Sequence, residues 1–294
     1  MLSILIPIYA YDPTALVETL HAQGKKLEIP FEILVYDDGS QSEQNQKNEK
    51  LNRLKQVTFK ALEKNLGRSA IRNLLAKNAQ YEYLLFIDGD SEIINENFLQ
   101  VYVENIGFST QVIYGGKEHS DLYAHKERLR WKYGKYREDK TAAERQKSIY
   151  RHTIFNNTLI KKELFEQIRF NEELTRYGHE DSLLAYELEK RKISVLHIEN
   201  PIIHAGIDTN EAFLEKTKSG LENLKKLCQQ KLLDPKHIRL TEFYLKLKKV
   251  GLDQVMGKLY PIFCQPMEKN LLSKNPSLRV FTIYRLMYFC HINP

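Results

Sequence analysis

The chain has 294 residues, 42% hydrophobic and 28% charged, a folded-protein composition that excludes disordered and fibrous classes. Cys228, Cys264 and Cys290 are far apart and form no CxxC pair, which suits a reducing compartment better than a disulfide framework or a zinc site. The net charge of +6 is uneven: from Glu211 onward 15 Lys/Arg face 7 Asp/Glu, so +8, leaving −2 for the first 210 residues, whereas a nucleic-acid enzyme would be basic around its cleft.

The first 90 residues alternate strand and helix. Leu2–Ile8 is an apolar strand that follows Met1 directly, with no basic leader, and no stretch reaches the ~18 apolar residues of a membrane span. A cytoplasmic protein is the expectation. Asp12-Pro13 reads as an N-cap and first helical residue, opening a helix to about Lys26. Phe31–Tyr36 is a second strand, running into Asp37-Asp38-Gly39-Ser40, and a polar helix to about Lys55 follows. A strand near Val57–Lys60, a helix from about Gly67 to Ala79 and a strand Tyr83–Ile87 lead to Asp88-Gly89-Asp90. Strands separated by helices imply an α/β fold with a mainly parallel sheet, which binds ligands beyond the carboxyl ends of its strands.

Residues from about Ser120 to Tyr150 are charged, tyrosine-rich and read as helical. A short strand around Thr153–Asn157 and a helix from about Lys161 precede the loop Tyr177-Gly178-His179-Glu180-Asp181, which enters a helix ending near Arg191. Val195–Ile198 and Pro201–His204 look like short strands. From Asn210 the chain reads as helical, with breaks near Pro235, Gly251, Pro261, Pro266 and Pro276.

The acidic clusters carry the chemistry. Asp88-Gly89-Asp90, after a buried strand, offers hard oxygen ligands to Mg²⁺ or Mn²⁺ and a glycine where backbone can approach a ligand. Asp37-Asp38-Gly39-Ser40 is either a solvated turn or a carboxylate that accepts a pyrimidine N–H. The segment from Asn65 to Asn73 opens a helix whose N-terminus and arginines, Arg68 or Arg72, can meet a nucleotide's negative charge. Glu180 and Asp181 at a helix start favour the helix dipole, or supply a general base. His204 is either a satisfied core histidine or a metal ligand.

Taken together, these segments resemble glycosyltransferase family 2. Ser3-Ile4-Leu5-Ile6-Pro7-Ile8-Tyr9 is similar to that family's first strand, and Val35-Tyr36-Asp37-Asp38-Gly39-Ser40 to its nucleotide-binding turn. Asn65-Leu66-Gly67 with Ala70-Ile71-Arg72-Asn73, Phe86-Ile87-Asp88-Gly89-Asp90 and Tyr177-Gly178-His179-Glu180-Asp181 match its later motifs, in order, from residue 2 to about 206. The nearest resemblance is to bacterial polysaccharide polymerases of the chondroitin-synthase kind.

The resemblance implies a GT-A fold, Rossmann-like, with a mostly parallel mixed sheet, flanking helices and a C-terminal helical extension. It divides the chain into a catalytic domain, 1–209, with a nucleotide-sugar half (1–116) and an acceptor half (117–209), and a basic helical extension, 210–294. It places Pro7, Tyr9, Asp37 or Asp38, and Arg68 or Arg72 around the nucleotide. Asp88 and Gly89 lie at the ribose or the metal's water, and Asp90 and His204, with Asp88, at the metal. Glu180 holds the acceptor and Asp181 is the base. The implied donor is a UDP-sugar with Mn²⁺ or Mg²⁺, and the acceptor a glycan or glycolipid. Two departures stand out: Ala10 where the family often has Asn, and His179 in place of a second Gly.

The implied reaction is inverting transfer in polysaccharide synthesis, without nucleic acid. A sugar-phosphate nucleotidyltransferase would carry a Gly-rich loop after the first strand, where Tyr9-Ala10-Tyr11-Asp12-Pro13 stands; a binding protein that had lost turnover is the other alternative. The apolar segment Leu278 to Cys290, with two arginines and no acid, either packs back on the catalytic domain or lies on a membrane surface at the inner face of the cell membrane.

Overall fold

Runs of apolar residues long enough to cross a sheet, each followed by a helix, build the first half of the molecule. The computed structural model describes residues 1–121, 128–174 and 177–293. Its main sheet has seven strands in the order β3-β2-β1-β4-β8-β6-β9. These are β1 (Leu2–Ile8), β2 (Phe31–Asp37), β3 (Val57–Ala61), β4 (Tyr83–Ile87), β6 (Val112–Tyr114), β8 (Asn157–Lys161) and β9 (Val195–His197). A small second sheet joins β5 (Ser91–Glu92), β10 (Ile202–His204) and β7 (Lys117–Glu118). β1 pairs in parallel with both β2 and β4, whereas β8 runs antiparallel between β4 and β6. The chain order reverses between β1 and β4, the place where open α/β sheets leave a crevice.

Both faces of the sheet are covered. Ile4, Ile6 and Ile8 of β1 join Val17 and Leu20 of the helix Thr14–Gly24 on one side. Leu5, with Leu34 and Phe86, meets Ile71 and Leu75 of the helix Arg68–Asn78 on the other. A strand buried on both faces reads as a continuous apolar run, as β1 and β4 do.

Several elements differ from the sequence-based expectation. The strand expected around Thr153–Asn157 lies at Asn157–Lys161, with Asn157 opposite Ile87 and Lys161 opposite Tyr83. Asn157 reads as a strand end because it is polar. In the fold its amide donates to the carbonyls of Gly116 (2.7 Å) and Asn200 (2.9 Å), which makes it a buried cross-link. The segment 120–150 is not one helix. Its described part breaks into Leu129–Tyr133, a π turn Gly134–Glu138, and Ala142–Gln146 opened by a Thr141/Glu144 capping box; the rest of that expectation, 122–127, lies outside the described residues. The helix Phe98–Glu104 and the strands β5, β6 and β7 had no expectation at all.

The tail forms the helices Asn210–Gln229, Arg239–Lys249, Leu252–Leu271 and Leu278–Ile292. Pro235, Gly251 and Pro276 stand at breaks, but Leu252–Leu271 runs through Pro261 and Pro266. Phe281, Tyr284, Met287, Phe289 and Cys290 are buried, so that face of the last helix packs back on the protein. Among the described residues no helix is long and apolar enough to cross a membrane.

Candidate active site

The carboxyl ends of β1, β2 and β4 open into a cleft of about 540 Å³. The acidic turn after β2 forms its floor, and its two aspartates do different work. Asp37 is fully buried and accepts from the N–H of Ala10 (3.0 Å), the N–H and Oγ of Ser40 (2.8 and 2.9 Å) and Asn45 Nδ2 (3.1 Å). It is spent on holding the turn and does not line the cleft. Asp38 does line it, and accepts from the N–H groups of Leu66 (2.8 Å) and Gly67 (2.9 Å), clamping the start of the helix Arg68–Asn78 over the turn. A Cβ on Gly39 (φ +68°) would stand 2.2 Å from the Lys64 carbonyl carbon, so this clamp needs glycine.

One turn apart on that helix, Arg68 and Arg72 reach two acids from distant segments. Arg72, buried, lies 2.5 Å from Asp88 Oδ1; Arg68 Nε donates to Glu180 Oε1 at 2.9 Å. Burial favours the neutral form of Asp88, but Arg72 and Arg68 outweigh it and hold its carboxyl below the usual range. Glu180 follows the same pattern with Arg68 and Arg72. Glu180 stands behind the cleft wall and does not line it. Gly89 lines the cleft and also answers a packing need: a Cβ there would meet Ile8 Cγ2 at 2.4 Å.

Asp90 and His204 are brought together by the small sheet, in which Ser91 lies opposite His204 in antiparallel register. His204 Nε2 stands 3.5 Å from Asp90 Oδ2, and the Ala205 N–H donates to the Asp90 carbonyl. Burial and the nearby Asp88 push Asp90 up to about 6. Burial, then Arg130 and Lys117, lower His204 to about 3, so its imidazole is neutral at pH 7. His204 Nδ1 is buried without a partner among the described residues. Asp88 is turned to the arginines, and among the described residues no group of three His, Cys, Asp or Glu could hold a metal. The expected set Asp88, Asp90 and His204 is therefore not assembled; Asp90 and His204 are.

Across the cleft, Gly178 (φ 103°) and left-handed His179 (φ 68°) deliver the chain into the helix Glu180–Lys190. Asp181 lines the cleft, with its Oδ1 buried and unpartnered among the described residues. Burial, then the adjacent Glu180, raise it to about 6.

Pro7, Tyr9, Arg68 and Arg72 also line the cleft. So do Lys117, Arg130, Glu138, Phe213 and Lys216, which the sequence does not single out, and Tyr177, which it marks only as part of a motif. Lys117 (2.7 Å) and Arg130 (3.0 Å) both bond to Glu138, which leaves one positive charge in excess in that wall. Tyr177, Phe213 and Lys216 close another side, with the Arg68 guanidinium 5.2 Å and Lys216 Nζ 5.4 Å from the Tyr177 ring centroid. Lys117, Arg130 and Glu138 come from three short elements, and Phe213 and Lys216 from the tail. No local spacing signals them; charged residues in a segment without a solvent-facing period are the faint clue.

The family model described as Glycosyl transferase family 2 matches residues 3–169, more than half of the chain. No curated protein matches it. Among solved structures, S. aureus TarS 1–349 in complex with UDP is 19% identical with a TM-score of 0.54, over 99% of this chain and 90% of that one. The same protein in complex with UDP-GlcNAc gives 18%, 0.53, and 98% and 90%. The mannosyltransferase PcManGT from Pyrobaculum calidifontis, in complex with GDP-Man and Mn²⁺, is 15% identical with a TM-score of 0.57, over 99% and 86%. At these identities the likeness is one of fold.

Proposed function

Because the chain belongs to glycosyl transferase family 2 and has the GT-A fold of a glycosyltransferase, we propose that it moves a sugar from a UDP-sugar to a hydroxyl of a glycan or glycolipid, with inversion and a divalent metal, in polysaccharide synthesis. The observation that carries this reading is that one cleft holds both Asp181, whose Oδ1 has no partner among the described residues, and the Asp90–His204 pair. The neighbours solved with UDP, with UDP-GlcNAc and with GDP-Man and Mn²⁺ support a nucleotide-sugar donor.

The residues present fit a metal. One carboxylate oxygen and one neutral imidazole nitrogen face each other, and burial, then the nearby Asp88, pushes the Asp90 carboxyl up to about 6. Mg²⁺ and Mn²⁺ sites of few protein ligands are completed by phosphate and water. When bound, such an ion supplies positive charge beside the departing diphosphate.

Asp181 takes the proton of the acceptor hydroxyl as its oxygen bonds to the anomeric carbon. The bond from that carbon to the diphosphate breaks on the opposite face, and its electron pair leaves with the nucleotide. A base held near 6 is charged at neutral pH yet still basic enough to accept a proton. Asp38 and Tyr9 line the nucleotide end. Arg68, half-exposed, and the surplus charge of the Lys117–Glu138–Arg130 wall face the phosphates. Arg72 and Arg68 neutralise Asp88 and Glu180, which would otherwise repel the donor.

The test is donor hydrolysis and transfer with UDP- and GDP-sugars, with Mn²⁺ and with EDTA. Asp181→Asn should lower kcat by about 10² or more with donor affinity kept, and Asp90→Ala should lose Mn²⁺-dependent donor binding. Turnover unaffected by EDTA would remove the metal, and normal turnover in Asp181→Asn would remove the base.

A further inference from the structure

A helix on a protein surface normally turns one apolar face inward and a polar face to water. The helix Leu252–Leu271 does not. Its inner face buries Gly257, Tyr260 and Leu271. On the opposite face Leu252, Val255, Leu259, Ile262 and Phe263 are 37–67% exposed, and Pro266 is exposed beside them. At 3.6 residues per turn these six positions fall within roughly a 100° arc, a continuous stripe rather than scattered apolar residues. None of them lines the cleft, so the stripe stands apart from the reading of the active site.

The charge around the stripe is mostly positive. Lys258 and Lys269 are exposed along its edge; Lys248 and Lys249, with Lys246 bridged to Glu242 at 3.4 Å, precede the helix and Lys274 follows it, all six lysines exposed. The two acids of this helix are withdrawn: Asp253 is buried, and Glu268 is bonded to Lys218 and the Tyr284 hydroxyl. From Phe243 to Asn293 eight Lys/Arg face two Asp/Glu, an excess equal to the +6 of the whole chain. We propose that this face is a docking surface for an anionic lipid bilayer, with the stripe set among the acyl chains and the lysines at the headgroups. A second copy of the chain is disfavoured by the same charges, because an isologous contact would bring two lysine-rich rims together. The site differs from the segment Leu278 to Cys290, of which Phe281, Tyr284 and Met287 are buried with Tyr260 and Leu271 of this helix, and Phe289 and Cys290 with other parts of the protein.

The experiment is flotation of the full chain with vesicles of mixed phosphatidylglycerol and phosphatidylcholine, or of phosphatidylcholine alone, at ~0.1 and ~0.5 M salt. Two variants accompany it: Leu259→Ser/Ile262→Ser/Phe263→Ser and Lys258→Glu/Lys269→Glu. Expected is binding to the anionic vesicles at least about tenfold above the neutral ones, weakened by salt, lost in the triple variant and reduced in the double. Melting temperature and donor hydrolysis should be unchanged in both, so a failure here is separable from a failure of the catalytic reading. Absence of binding to anionic vesicles overturns the proposal, as does equal binding by the triple variant. A wild-type dimer by light scattering that the triple variant lacks, with no vesicle binding, would assign the stripe to a second copy.

Discussion

A carboxyl with one oxygen buried and unpartnered among the described residues is a liability to the fold, and Asp181, half-buried at the cleft, is one. An unfolded aspartate titrates near 3.9, whereas this one keeps its proton to about 6. Between those values the folded state binds more protons, so its contribution to stability falls as pH rises through the window and is level above it. Asp181→Asn should therefore melt higher than wild type at pH 7.5, by on the order of 1–3 kcal/mol, with the gain shrinking toward pH 4.5. A variant less stable at pH 7.5 would mean the carboxylate is structurally satisfied. In the proposed reaction kcat/KM should fall with acid through pH 6, as the same group protonates. Gly206 makes a second case. A Cβ there would stand 2.2 Å from Asp90 Oδ2, a movable side-chain end, so Gly206→Ala should fold normally and displace Asp90. Mn²⁺-dependent donor affinity should drop about tenfold by titration, the scale of a local overpacking of ~1–3 kcal/mol; an unchanged affinity would detach Asp90 from the metal. The two departures from the family's residues share a backbone trait: Ala10 (φ 51°) and His179 (φ 68°) are both left-handed, where Asn and Gly sit with less strain.

At the scale of the helix, Leu252–Leu271 tolerates Pro261 because a neighbour replaces the missing donor. Pro261 has no N–H for the carbonyl of Gly257, four residues back, and His291 Nδ1 lies 3.2 Å from that oxygen. The two helices approach closely there, since a Cβ on Gly257 would stand 3.0 Å from the Cys290 carbonyl oxygen. His291→Ala should cost roughly 1–2 kcal/mol in chemical denaturation. Pro261→Ala restores a helical N–H, so in that background the same change should cost less. Equal losses in both backgrounds would show that the contact carries no energy. Proline was expected to break this segment by a local rule, and at Pro261 the rule fails because the compensating donor comes from 34 residues away.

Over the whole molecule, the proposed division at residue 209 does not separate two cores. Leu174 and Leu183 pack with Leu221, Leu224 and Phe289, and Leu129 packs with Leu214, Phe281 and Tyr284. Asn223 Nδ2 also donates to the carbonyls of Tyr177 and Gly178, in the loop that delivers Asp181. A chain ending at Thr209 would uncover three leucines worth on the order of 5 kcal/mol together, comparable to a domain's stability. It should be insoluble or melt far below the full chain; an unchanged melting temperature would make the tail an independent unit.

What the sequence determined by itself is local. The apolar runs of β1, β2 and β4, the helix between them that starts at Gly67, and the acids at the strand ends were legible because strand and helix periods are written in adjacent residues. Ordered family motifs added the expected roles. The tertiary structure decided which partner each acid meets: Asp37 is consumed by its own turn, Asp88 by Arg72, and Asp90 meets His204 only through the register of β5 and β10. It also decided which face of the tail's helices is buried, since two apolar faces on one helix look alike until another helix covers one of them. Outside the Asp37 turn such pairings join residues from 16 to more than a hundred positions apart, and packing rather than local period selects them.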